Sequence, residues 1–114
     1  MNKYKNVWTK CKQGHNHQSK KEASYCNILE LLKKNGEIIE YDIQRKEELY
    51  CDGKFICNHI VDFLIYKKEK NKKIFEVHEV KSKATMTAAW KIKKKLFEVN
   101  YPDIKYVVID KELK

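Results

Sequence analysis

The segment "KFICNHIVDFLIYKKEKNKKIFEVHEVKS", residues 54–82, constrains the fold more than any other. Its first half is β-branched and aromatic and reads as one long strand. Its second half alternates apolar and polar residues, the period of another strand. The polar run "KKEKNKK" between them reads as a solvated turn, so the two strands form a hairpin. A tight turn around Lys70 and Asn71 pairs residues whose numbers sum to 141, which sets Asp62 opposite Glu79. Ile60 then faces Lys81, on the same side because the strand period is two. Two acids and a lysine are thereby expected at one place on a sheet that otherwise reads as core.

The remaining elements follow from local signals. "SKKE" is a capping box with Ser19 as N-cap and Glu22 at N3. Ala23, Cys26, Ile28, Leu29 and Leu32 continue at helical spacing, and Gly36 ends the helix. "EIIEYDIQRKEELY" is extended, its second half a strand, and "CDG" is a hairpin turn. "ATMTAAWKIKKKLFEVN" predicts a second helix, broken by "YPD", and "IKYVVID" a last buried strand. The order is αβββαβ. The expected fold class is α/β, a mixed central sheet flanked by helices. No linker or repeat divides the 114 residues, so one domain is expected, with an N-terminal arm over 1–18 and a core over 19–110. Tyr4 and Trp8 in the arm suggest no role.

Charge narrows the partner. Twenty-five Lys and Arg stand against 16 Asp and Glu, a net charge of +9, and all the cations except Arg45 are Lys. This balance points to a polyanion, nucleic acid being the usual one, held by point-charge phosphate contacts with little base readout. No apolar run is long enough to span a membrane, and the N-terminus lacks an apolar signal core, so an intracellular protein is expected. Its four cysteines are then thiols or metal ligands. In "CKQGHNH", Cys11, His15 and His17 stand close enough to Cys26 to offer a zinc site; the competing reading is a polar loop with Cys26 in the core. His59 and His78 read as core histidines on strands.

An Asp between Val61 and Phe63 is costly to bury without a partner, and two opposed carboxylates repel. A divalent cation relieves that repulsion. Mg²⁺ or Mn²⁺ is therefore the expected cofactor, polarising a phosphate and activating water while Lys81 assists. The structural alternative is an ion pair of Asp62 with Lys81, without chemistry.

Asp62 followed across a hairpin by Glu79-Val80-Lys81 resembles the motif of the PD-(D/E)XK nuclease superfamily, with Val61 where the motif's Pro stands. The αβββαβ order is also that superfamily's core. "SKKEA", "GEI", "IQRKEEL", "VDF", "EVKS" and "KKKLFE" are similar to small phage-type endonucleases of the superfamily, some likened to Holliday-junction resolvases. The resemblance implies a restriction-endonuclease-like fold and a phage or prophage origin. It implies metal binding by Glu22, Asp62 and Glu79, with catalytic roles for these and Lys81. Gln44 matches a recurrent Gln that reaches water or phosphate near the site; its alternative is an ordinary exposed polar residue. Glu22 has its own alternative in the capping box.

Lys20, Lys83, Lys91 and Lys94 form the expected DNA-binding set, with Thr85 and Thr87 placed to meet a phosphate at a helix start. Trp90 and Phe97, seven apart, read as core. The expected activity is metal-dependent endonucleolytic cleavage of branched or structured DNA by a homodimer, because cutting two strands needs two sites. The alternative from another class is a non-catalytic basic nucleic-acid-binding module, with or without a stabilising zinc.

Overall fold

The computed structural model describes residues 9–17 and 19–110. Tyr4 and Trp8 lie outside the described residues. A small antiparallel hairpin, β1 (Thr9–Lys10) and β2 (Asn16–His17), precedes helix α1 (Lys20–Lys34). Strands β3 (Glu40–Cys51), β4 (Lys54–Glu69) and β5 (Lys72–Val80) follow, then helix α2 (Ala88–Asn100) and strand β6 (Lys105–Ile109). The main sheet has the order β3-β4-β5-β6, antiparallel except for the parallel β5–β6 pair. Parallel neighbours need a crossover, and α2 supplies it. The protein is an α/β fold with a mixed four-stranded sheet and two helices, in the αβββαβ order read from the sequence.

The ends of the elements have identifiable causes. The Ser19 hydroxyl accepts the Glu22 N–H at 3.0 Å and starts α1. Gly36, at φ +79°, takes the left-handed conformation that ends it. Asp52-Gly53 and Lys70-Asn71 both have positive φ at two successive residues, the two-residue turn whose twist suits a hairpin. The second helix is shorter than expected. Lys83–Thr85 forms a 3₁₀ turn and α2 begins at Ala88. The cause is hydroxyl chemistry: Thr85 Oγ1 accepts the Ser82 N–H at 2.9 Å, and Thr87 Oγ1 accepts the Trp90 N–H at 3.1 Å. β3 begins at Glu40, so the strand takes in only part of the half expected to be extended and leaves residues 37–39 outside it.

Two cores form on the two sides of the sheet. Ala23, Tyr25, Cys26 and Leu29 of α1 pack on Ile38, Tyr41, Phe63 and Ile65. Phe97 of α2 packs on Leu49, Val61, Leu64 and Val77. Phe63 and Phe97 are fully buried, each contributing about 2–3 kcal/mol through apolar burial. Trp90 is buried as expected, whereas Ile28 and Phe75 remain partly exposed.

Candidate functional site

The β4–β5 register is the one expected. Pairs run from Glu69–Lys72 to Phe63–His78, all summing to 141. At the next position the ladder gives way to a side chain: Asp62 Oδ2 accepts the Val80 N–H at 2.8 Å. Facing also changes here. Val61 packs in the core under α2 and Phe63 in the core under α1, although residues two apart normally share a face. Across the sheet, Gln44 lies in the gap between the Ile43–Phe63 and Arg45–Val61 pairs, with φ +51°. β4 thus rolls over at Asp62, and its carboxylate reaches both Glu22 on α1 and Glu79 on β5. Gln44 Nε2 donates to Glu22 Oε1 at 2.6 Å, closing the group from the β3 side.

Glu79 is 1% exposed, while Asp62 keeps some contact with solvent. Burial, then the neighbouring Asp62 charge, pushes the Glu79 carboxyl up to about 8. Burial also raises Asp62, against the Val80 N–H and the Lys81 charge. The contact between the two acids lowers Asp62 and raises Glu79, so the pair holds one proton in common. Tyr106 O–H donates to Glu79 Oε1 at 3.0 Å and stands 2.8 Å from His59 Nε2, which is therefore the donating nitrogen. Burial, then Lys93 and Lys81, depress His59 to about 4, so its 3.6 Å approach to Glu79 is that of a neutral ring. Lys81 follows directly after β5, and its ammonium lies 5.3 Å from the Trp90 ring centroid.

A protein-family model described as "Protein of unknown function (DUF1064)" matches residues 1–114. The chain belongs to the DUF1064 family. No curated protein matches it, and no solved structure does.

The DUF1064 chain corrects the expected cofactor. Mg²⁺ or Mn²⁺ on Glu22, Asp62 and Glu79 was the expectation. Among the described residues, the group placed to hold a metal ion is instead Cys11, His15, His17 and Cys26, whose donor atoms all lie within 4.8 Å of one another. Thiols and imidazoles suit zinc, whereas Mg²⁺ and Mn²⁺ take oxygen donors. The acids are satisfied otherwise: Asp62 and Glu79 share a hydrogen bond, and Gln44, Tyr106 and the Val80 N–H supply further donors.

Around the DUF1064 acid cluster, Glu22, Gln44, Asp62, Glu79 and Lys81 come together. Lys20, Lys83 and Lys91 are exposed. Lys94 pairs with Glu98 at 3.0 Å and lies 5.1 Å from the Tyr106 ring centroid. Thr85 is held within its own turn, its hydroxyl donating to Ser82 O at 2.9 Å. Sequence reasoning missed Tyr106 and read His59 as core alone. The apolar run "KYVVI" marks a buried strand, but only the parallel β5–β6 register brings Tyr106 to Glu79. A cleft of about 650 Å³ between α1 and β3 reaches Gln44 but none of Asp62, Glu79 and Lys81.

Proposed function

We propose that this chain is a DNA endonuclease, a phosphodiesterase of the PD-(D/E)XK kind with a restriction-endonuclease-like core, acting on branched or structured DNA as a homodimer. One observation carries this reading: carboxylates from three elements, Glu22, Asp62 and Glu79, converge beside Lys81. An ion-pair role for Asp62 needs one acid, and burying a second beside it costs desolvation with no structural return. A pair of acids sharing one proton suits acid–base chemistry. Asp62, the more exposed member, takes the proton of a water whose oxygen bonds phosphorus. The bond to the leaving oxygen breaks, and that oxygen takes the proton the pair already held. Lys81 stabilises the charge on the pentavalent phosphorus. Exposed Lys20, Lys83 and Lys91 supply backbone contacts, consistent with the net charge of +9.

The test is a gel assay on labelled four-way junction, flap and linear duplex DNA, with divalent cations supplied one at a time and with EDTA. Wild type is expected to cut at least one substrate, and Asp62→Asn to bind it within a few-fold and leave it intact. If wild type binds every substrate and cuts none under any condition, the chain is a basic binding module and the proposal fails.

A further inference from the structure

The Cys and His side chains at the N-terminal end form a second centre that phosphodiester cleavage does not use. Cys11 directly follows β1, His15 and His17 lie on the return of the hairpin, and Cys26 is on the buried face of α1. The four donor atoms lie within 4.8 Å of one another. Tetrahedral zinc, with bonds of about 2.0–2.3 Å, holds its donors about 3.3–3.8 Å apart. His15 Nδ1 and Cys26 Sγ already stand 3.4 Å apart. The hairpin is braced for such a site. The Cys11 N–H donates to His15 O at 3.0 Å, Gly14 turns the chain at φ +87°, and the Lys12 N–H donates to Asn27 Oδ1 of α1 at 2.8 Å.

His17 supplies the independent sign of a ligand. It is 0% exposed, and neither ring nitrogen has a hydrogen-bond partner. Burying an imidazole with both nitrogens unsatisfied is costly, and native structures rarely tolerate it. A metal ion removes that cost. Two thiolates and two neutral imidazoles also neutralise a divalent cation, as burial requires.

We infer that Cys11, His15, His17 and Cys26 bind one zinc ion that fastens the β1–β2 hairpin to α1. Zinc on His17 Nε2 leaves Nδ1 directed to Glu22 Oε1, now 3.8 Å away, an outer contact of the kind that fixes a ligating imidazole. The ion is structural, since four protein donors leave no open position. It shares no ligand with the acid cluster, so the inference stands whether or not the chain cuts DNA.

The experiment measures metal in protein purified without chelator, then titrates Co²⁺ into the reduced, metal-stripped wild type. About one zinc per chain is expected, together with the intense visible absorption of tetrahedral cobalt carrying thiolates. Cys26→Ser and His17→Ala should abolish the cobalt spectrum, and Cys57→Ser should keep it. The wild-type titration decides even if those variants fail to fold. A full cobalt titration without tetrahedral absorption overturns the inference. So does a Cys11–Cys26 disulfide found in the protein as purified.

Discussion

Asp62 and Glu79 meet where the β4–β5 ladder stops, Asp62 Oδ2 accepting the Val80 N–H at 2.8 Å while Glu79 is raised by burial and by the charge of Asp62. The pair makes stability depend on pH. Glu79 titrates at about 8 in the fold against 4.5 as its ordinary value, so folding takes up a proton between those limits. Stability therefore falls as pH rises through that range. His59, depressed from 6.5 to about 4, acts oppositely below 6.5, which leaves 6.5 to 8 as the clean window. Thermal melts across it should show Tm falling for wild type and staying flatter for Glu79→Gln. Parallel slopes would remove the shared proton from the account.

Lys81 lowers the Glu79 carboxyl by its charge. Lys81→Met should therefore move the alkaline fall of Tm upward in pH. In the proposed reaction it should also cut kcat by about 10²-fold or more while leaving KM within a few-fold. A rise in KM alone would make Lys81 a DNA-holding residue only.

Gln44 is bound to a nearly buried acid, Nε2 to Glu22 Oε1 at 2.6 Å. Gln44→Ala removes that donor and should cost about 1–3 kcal/mol in urea denaturation. An unchanged midpoint would mean that Glu22 does not depend on it.

The β4–β5 turn places Lys70 at φ +48° and Asn71 at φ +68°, a conformation that Asn-Gly fills best. Replacing both, Lys70→Asn with Asn71→Gly, should stabilise the protein by about 0.5–1 kcal/mol without altering DNA affinity. Destabilisation would mean that the turn is not the one that fixes the register of Asp62 and Glu79.

The β4–β5 register was legible because a polar turn lies between two apolar runs of opposed pattern, and symmetry about Lys70-Asn71 is the simplest closure. The start of α1 was legible at Ser19, whose hydroxyl accepts the Glu22 N–H. That of α2 was less so around Ser82 to Thr87, where several hydroxyls compete and only the fold selects Thr87. The rolling of β4 at Asp62 was not legible, because alternation predicts one face and only two helices packing on opposite sides pull Val61 and Phe63 apart. Tyr106 joined Glu79 through a strand pairing that no local signal encodes. The metal expectation failed for a related reason. Opposed acids suggested a cation, but how each is satisfied depends on partners from α1, β3 and β6.

The most direct measurement is single-turnover cleavage by Glu79→Gln against wild type, on whichever DNA structure wild type cuts, with affinity measured on the same substrate. The rate of Glu79→Gln should be lower by about 10²–10⁴-fold at unchanged affinity, since the amide keeps the shape of the acid and cannot exchange the proton. Cleavage at the wild-type rate by Glu79→Gln would contradict this mechanism.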